Sequence, residues 1–155
     1  MTTPFVPAAF IIPRHLQHPQ FQLRPLRADD VESDFAAVIE SAERLRTWCD
    51  SALGLRGWPR AGFTLAENLR DLQRHEAEFE AREAFAYTVL SPDGGSTLGC
   101  IYLYPDAVDE VRVSMWIRTR FCGLQPALQE AIQTWLRAAW PFERVWFHPV
   151  PACVA

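Results

Sequence analysis

A single glycine between a strand-like run and a helix-like run is the clearest candidate for chemistry in this sequence. Residues 111–136 read VRVSMWIRTRFCGLQPALQEAIQTWL, which predicts a β-strand, a short turn at Gly123 and a long amphipathic helix. The first turn of a helix has N–H groups without intrahelical partners and a partial positive charge, and a phosphate group can satisfy both. The turn at Gly123 is therefore a candidate phosphate-binding site.

Several other side chains near this turn could do chemistry. Tyr102 and Tyr104 share one face of their strand, where they could line a substrate slot or supply a phenol proton; packing in the core is the competing interpretation. Cys122 lies beside the turn, and a helix N-terminus lowers the pKa of a thiol, but the sequence supplies no base to pair with it. His148 ends the last predicted strand and could contact a ligand. His75 is expected to be exposed on a charged helix.

Composition excludes several kinds of chemistry. All 15 basic residues are arginines, so lysine Schiff bases and the phosphate-binding P-loop are excluded. The 4 cysteines are widely spaced, which indicates neither a zinc site nor a disulfide framework, and no other grouping has the spacing of metal ligands. A net charge of −4 argues against non-specific nucleic-acid binding. We therefore expect no metal cofactor and no nucleic-acid partner.

The beginning of the chain does not resemble a targeting segment. It is apolar only over residues 8–12, which have prolines on both sides, and it has no basic leader. We expect neither a signal peptide nor a membrane-spanning segment, and hence a cytoplasmic location.

The elements that must position these residues follow in a clear order. Residues 1–20 are expected to form an extended arm that packs Phe5, Phe10 and Ile11 on a single domain formed by residues 21–155. In that domain the patterns predict a strand (21–26), two helices (31–48 and 65–82), three strands (84–90, 97–104 and 111–117), a helix (126–139) and a last strand (142–148). Short connections make the three middle strands antiparallel, and the helix before the last strand makes that strand parallel to its neighbour. The fold class is α+β.

This order of elements resembles the GNAT family of N-acetyltransferases, which move an acetyl group from acetyl-CoA to an amine. FQLRPLRADD (21–30) is similar to the family's opening strand, which commonly ends in Arg-Pro and an acidic pair. LGCIYL (98–103) is similar to its middle strand, and MWIR (115–118) to the end of the strand that meets the acetyl group and the pantetheine arm. Residues 124–136 match the apolar pattern of its phosphate-binding helix. The resemblance covers about residues 21–148.

The resemblance implies a mainly antiparallel mixed sheet flanked by helices, acetyl-CoA as co-substrate, and direct attack of an amine on the thioester. The main chain at Trp116 and Ile117 would align the thioester. Glu110, beside Asp109, lies where the family often places a carboxylate base, and Tyr102 and Tyr104 are the other catalytic candidates. The cofactor-binding residues implied are Trp116, Ile117, Arg118, Arg120, Cys122, Gly123, Leu124, Gln125 and Ala127.

Two departures from the family pattern leave an alternative open. The family's diphosphate loop reads Gln/Arg-x-x-Gly-x-Gly/Ala, and here Arg120 and Gly123 match but Gln125 takes the third position; a second register keeps only Ala127. Pro126 also removes an amide donor, so weaker phosphate binding is expected. The second departure is at Ala155, where the family pattern usually continues; we therefore expect a GNAT-like sheet that lacks the family's further helix, its last two strands and the tyrosine that protonates the thiolate.

The sequence thus supports two functions. One is an acyl-CoA-dependent N-acyltransferase that acts on a small-molecule or peptide amine. The other is a degenerate GNAT-like module that has lost catalysis and serves in binding or dimerisation. An unpaired last strand would make a homodimer a candidate assembly in either case.

Overall fold

The computed structural model describes residues 3–53 and 57–153, and a six-stranded sheet lies at its centre. The strands lie side by side in chain order, and only the last pair is parallel. The strands are β1 (Leu16–Gln17), β2 (Gln22–Pro25), β3 (Phe85–Leu90), β4 (Thr97–Pro105), β5 (Val111–Ile117) and β6 (Val145–Phe147). The predicted antiparallel meander and the parallel last strand are confirmed.

Helices cover both faces of the sheet. They are α1 (Val31–Glu40), α2 (Ala42–Trp48), α3 (Leu65–Glu80) and α4 (Gln125–Ala139). One apolar cluster joins α1 and α2 to the face that carries Cys100 and Trp116, and Leu72 of α3 belongs to it. A second cluster joins α4 to the opposite face, which carries Ile101 and Met115. This mixed, mainly antiparallel sheet flanked by helices confirms the predicted α+β class.

The helix predicted over 31–48 is two helices. The break is at Ser41, whose φ of −107° and ψ of 12° are not helical. Its hydroxyl oxygen accepts a hydrogen bond from the main-chain N–H of Thr119 at 3.1 Å, after β5. A contact with a distant segment sets this break, so the apolar periodicity of the helix could not reveal it.

Residues 3–20 lie against the rest of the described chain and contribute β1 to the sheet. Leu16 pairs with Leu23 of β2. The ring of Phe5 stacks on Phe85 with centroids 5.5 Å apart, and Phe10 packs on an aromatic cluster of the core. Ile11 is 87% exposed, so the prediction that it packs on the body is wrong; Val6 is buried instead.

Within the described ranges, no helix combines the length and the apolar character needed to cross a membrane. The same residues contain no group of three or more His, Cys, Asp or Glu side chains placed to hold a metal ion.

Candidate functional site

Strands β5 and β6 pair over a short distance and then separate. The N–H of His148 donates to the carbonyl oxygen of Val113 at 2.9 Å, and between residues 114–117 and 149–153 the structure describes no further main-chain hydrogen bond. Alternate residues of a strand direct their main-chain groups to the same side. Since Val113 faces β6, Met115 and Ile117 direct their N–H groups to the side that β6 has left. The two strands therefore form a fork that opens beyond Val113.

Trp116, predicted to act with Ile117, directs its main chain away from the fork. It is the register partner of Cys100 on β4, and the N–H of Arg118 donates to Leu98 of the same strand at 2.6 Å. A Cβ atom on Gly99 would lie 2.1 Å from the carbonyl oxygen of Trp116. Of the predicted pair, only Ile117 presents its N–H to the fork. Met115, which the sequence did not single out, is its counterpart.

Residues 149–153 form the other side of the fork and are held by side chains. The indole N–H of Trp48 donates to the carbonyl of Pro149 at 2.5 Å. Arg44 donates from Nε to the carbonyl of Ala152 at 2.9 Å and from Nη1 to the carbonyl of Ile117 at 3.1 Å. One guanidinium from α2 thus joins both sides of the fork.

The predicted phosphate turn lies at the open end of the fork. Residues Thr119–Leu124 form a 3₁₀ turn that leads directly into α4. Gly123 is exposed, and a Cβ atom built there would meet no atom within 4 Å. The side-chain N–H of Gln125 donates to the carbonyl of Pro151 at 3.3 Å, and its Oε1 is buried with no partner among the described residues. Leu124 and Ala127 are half-buried against the core.

Both arginines predicted to bind the cofactor are paired with one carboxylate. The Nε of Arg118 lies 2.8 Å from Oε2 of Glu40, and the Nε of Arg120 lies 2.8 Å from its Oε1. Burial opposes the ionisation of Glu40, but the hydrogen bonds from Arg120 and Arg118 outweigh it and lower the pKa of this carboxyl. An anion that binds these arginines must compete with Glu40.

Cys122 is bonded to Cys153 in a disulfide with a Cα–Cα distance of 5.7 Å. The expectation of no disulfide is therefore wrong, because the fold brings together two cysteines that are 31 residues apart in the chain. In this form Cys122 has no free thiol. The disulfide joins residues 149–153 to the turn that precedes α4.

A cavity of about 570 Å³ lies between the sheet and helices α1 to α3. The residues lining it include Asp34, Asn68, His75, Tyr102, Tyr104 and Ser114. The two tyrosines predicted to line a substrate slot thus lie in its wall. The prediction that His75 is exposed is wrong, since 8% of its surface is accessible. Burial, with a smaller contribution from Arg74, lowers the pKa of His75 to about 4.

Asp34 is the buried carboxylate of this cavity. Its Oδ2 accepts a hydrogen bond from Asn68 at 3.0 Å, and its Oδ1 accepts one from the thiol of Cys100 at 3.3 Å. Burial raises the pKa of Asp34 to about 6. Beside this pair, the indole N–H of Trp116 donates to the hydroxyl of Tyr102 at 2.9 Å. Since Trp116 belongs to the end of β5, the cavity and the fork share this part of the sheet.

The sequence held a signal for the polar residues of the cavity. On α3, the buried positions are Asn68, Leu72, His75 and Phe79, which follow helical spacing. Two polar residues therefore lie within an apolar stripe. Likewise, Asp34 is buried together with Ala37 and Val38 of α1. A polar side chain on the apolar face of a helix thus indicates a buried polar site.

Glu110 lies away from the fork and does not line the cavity. Its N–H donates to the carbonyl of Arg144 at 3.1 Å, and its carboxylate accepts from the N–H of Glu143 at 3.0 Å. It precedes β5, whereas the N–H groups that face the fork, those of Met115 and Ile117, lie about 16 and 23 Å further along this strand at about 3.3 Å per residue. The geometry therefore gives Glu110 a role in joining β5 to the segment before β6.

No model of a known protein family matches the sequence, and no curated protein matches it. Similar folds occur among solved structures. A probable acetyltransferase has a TM-score of 0.65 at 19% identity, over 86% of this chain and 72% of that one. The ribosomal L7/L12 alpha-N-protein acetyltransferase RimL has a TM-score of 0.61 at 16% identity, over 79% of this chain. The ribosomal-protein-S5-alanine acetyltransferase from Vibrio fischeri has a TM-score of 0.60 at 15% identity, over 80% of this chain and 68% of that one.

The chain has the GNAT fold. It spans 65% of the length of RimL. Another structure of RimL holds coenzyme A, and the acetyltransferase MccE, similar at a TM-score of 0.61, was solved with acetyl-CoA and AMP. Identities of 10–19% establish likeness of fold, and function has to be argued from the site.

Proposed function

We propose that this GNAT-fold chain transfers an acetyl group from acetyl-CoA to an amine. The observation that carries the proposal is the fork between β5 and residues 149–153, which directs the N–H groups of Met115 and Ile117 into a gap between two segments of main chain. Unpaired N–H groups in such a gap can hold amide and thioester oxygens. Solved structures of the same fold that hold coenzyme A or acetyl-CoA support this choice of co-substrate.

In this proposal the co-substrate lies along the fork. The pantetheine arm runs between β5 and residues 149–153, and the thioester oxygen accepts a hydrogen bond from Ile117. The diphosphate lies at the exposed turn around Gly123, where the start of α4 contributes its N–H groups and partial positive charge. Arg118 and Arg120 complete the binding site when they exchange Glu40 for phosphate oxygens.

The acceptor amine approaches from the cavity on the other side of β5. Its nitrogen lone pair attacks the thioester carbonyl carbon, the C–S bond breaks, and the sulfur leaves as the thiolate of coenzyme A. The nitrogen releases a proton and the thiolate takes one up, so that the products are the acetylated amine and free coenzyme A. Tyr104, half-buried in the cavity wall, remains a candidate donor of that proton, while the hydroxyl of Tyr102 already accepts from Trp116.

The second candidate function is a binding module without catalysis. Four contacts favour it, because each uses a group that the transferase needs for the diphosphate. Gln125 bonds to Pro151, the two arginines pair with Glu40, and Cys122 is linked to Cys153. If these contacts persist in solution, acetyl-CoA has no open site.

Thermal unfolding with and without acetyl-CoA separates the two functions. A ligand at a hundred times its Kd adds about 2.7 kcal/mol of stability, which for a chain of this length raises Tm by about 5–10 °C. We expect a rise in Tm for the wild type and for Gly123→Ala, since a Cβ at Gly123 meets open space. Gly123→Glu places a carboxylate against the phosphates and should abolish the rise.

Turnover is measured next, as release of the free thiol of coenzyme A with a panel of amines. The binding module would be favoured if millimolar acetyl-CoA left Tm unchanged in the wild type, Gly123→Ala and Gly123→Glu, under both oxidising and reducing conditions. Binding that is insensitive to Gly123→Glu would place the diphosphate elsewhere.

A further inference from the structure

The cavity between the sheet and helices α1 to α3 contains a carboxylate without a cationic partner. Both hydrogen-bond donors to Asp34, Asn68 and Cys100, are neutral. An ionised carboxylate accepts about four hydrogen bonds, so Asp34 retains capacity for a ligand. Within the residues described, no arginine or histidine lies within salt-bridge distance of it, although it is 3% exposed.

The other charged groups of the cavity wall are already paired. Asp71 accepts from Arg74 at 3.1 Å and from the indole of Trp58 at 3.4 Å. His75 is buried and neutral at physiological pH, since its pKa is about 4. The cavity therefore offers a single negative charge, and a ligand with one positive charge matches it.

The rest of the wall is aromatic and aliphatic. Four aromatic side chains line it, those of Trp48, Trp58, Tyr102 and Tyr104, together with the leucines Leu26, Leu53 and Leu72. Aromatic faces attract an alkylammonium group through their negative π-faces and also bury an apolar body. A volume of about 570 Å³ is in the range of small-molecule sites.

We infer that the acceptor is a small primary monoamine with an aromatic or branched-alkyl body, whose ammonium group pairs with Asp34. This inference rests on the proposed acetyl transfer and names the substrate class for it. A polyamine is disfavoured because Asp71, the second carboxylate of the wall, is already neutralised by Arg74. A peptide is disfavoured because the wall's amide, Asn68, is engaged by Asp34, which leaves peptide groups without partners.

The position of Asp34 fits this role. It bonds to Cys100, the register partner of Trp116 at the end of β5. The ammonium group is thus held over the part of the sheet where the fork begins. Asp34 binds and positions the amine as its ammonium ion. The nitrogen attacks the thioester after one proton has passed to solvent, and the second proton, released as the amide forms, is taken up by the thiolate of coenzyme A.

The test is equilibrium binding of amines by calorimetry to the full chain without acetyl-CoA, so that it does not depend on turnover. The probes are 2-phenylethylamine, its neutral isostere 2-phenylethanol, spermidine and the tripeptide Ser-Ala-Ala. We expect the monoamine to bind about 10- to 100-fold more tightly than the alcohol. Asp34→Asn should remove that difference. Glu32→Gln removes the same charge from an exposed position of the same helix and should leave the difference unchanged.

Equal binding of the amine and the alcohol by the wild type would overturn the inference without the use of any variant. Tighter binding of spermidine or of the tripeptide, or no binding of the monoamine at 10 mM, would also overturn it. The acetyl-CoA melting shift of Asp34→Asn is recorded in parallel. If Asp34→Asn keeps the rise in Tm produced by acetyl-CoA but no longer binds the amine, the result supports the acceptor site. If the wild type binds the amine but shows no rise in Tm with acetyl-CoA, the proposed function is contradicted and the amine site is not.

Discussion

Asn68 of α3 donates a hydrogen bond to Asp34 of α1 at 3.0 Å, and both side chains are buried. This bond crosses between two helices at the edge of the cavity and satisfies one carboxylate oxygen. It does not neutralise the charge. A buried carboxylate with only neutral partners destabilises the folded protein at neutral pH.

Asp34→Asn is therefore expected to stabilise the protein at neutral pH. The pKa of Asp34 rises from 3.8 in the unfolded chain to about 6 in the folded one, because burial disfavours the charged form. The favourable contribution of the protonated group is complete below pH 3.8 and is lost as pH rises through 6. At pH 7.5 the residue thus costs about 3 kcal/mol, and Asp34→Asn should recover much of this. At pH 4 the gain should be small.

The measurement is urea denaturation of Asp34→Asn and wild type at pH 4.5, 6 and 7.5. Groups that face Asp34 from its neighbours include Asp30, Asp71, Cys100 and Tyr102, and the first two raise its pKa further. The lowered pKa of His75 also destabilises the folded protein as pH falls. This effect is the same in both proteins and cancels in the difference between their free energies of unfolding. An equal gain at all three pH values would contradict the assignment.

Gly99→Ala should destabilise the protein, because the added methyl group forces β4 away from β5 at the residues that form the fork. A Cβ at this position would lie 2.1 Å from the carbonyl oxygen of Trp116 and 2.9 Å from the Cα of Ile117, both main-chain atoms that cannot turn aside. We expect a loss of about 2–3 kcal/mol in denaturation experiments. Gly123→Ala, where the Cβ meets open space, is the matched control and should change stability by less than about 1 kcal/mol. Equal effects of the two substitutions would show that the close approach of the strands is relaxed in solution.

The fold was predictable because its signals are local. Alternation over 97–104 and 111–117, helical spacing over 126–139 and short connections determine the meander and the parallel last strand. The break at Ser41 was not predictable, since it depends on a hydrogen bond to Thr119, which lies far along the chain.

The candidate site was less predictable, because it depends on orientation and pairing. The tyrosine pair was found from strand alternation, which placed both rings on one face. The same alternation decides that Ile117 and Met115, rather than Trp116, face the fork, but only once the neighbours on each side of β5 are known. Asp34, Arg44 and Cys153 acquire their roles through contacts over 66, 73 and 31 residues of chain. Helical spacing marks Asp34 as a polar residue on an apolar face, but it does not reveal which distant residues these three side chains contact.

Glu40→Gln should strengthen the binding of acetyl-CoA. Glu40 pairs with Arg118 and Arg120, so removal of its charge releases both guanidinium groups for the diphosphate. Pairs at the surface contribute up to about 1 kcal/mol, which predicts a Kd lower by about two- to five-fold. Calorimetry at low and high salt would measure it, with Glu43→Gln, exposed on α2, as the control of equal charge. An unchanged Kd in Glu40→Gln would mean that these arginines do not contact the phosphates.

Reduction of the Cys122–Cys153 disulfide should loosen the wall of the fork. The bond closes a loop of about 31 residues and holds residues 149–153 at the start of α4, where the diphosphate is proposed to lie. Opening the loop with a dithiol, which is itself oxidised to its cyclic disulfide, should lower the free energy of unfolding by about 3–4 kcal/mol. It should also increase the rise in Tm produced by acetyl-CoA, since the co-substrate no longer competes with a tethered segment.

The double variant Cys122→Ser/Cys153→Ser should give the larger rise with or without reductant, and the buried thiols of Cys49 and Cys100 are the same in both proteins. If the oxidised and reduced wild type gave identical rises, the segment would be a fixed wall of the fork, and the affinity for acetyl-CoA would be set by Gln125 and the arginines alone.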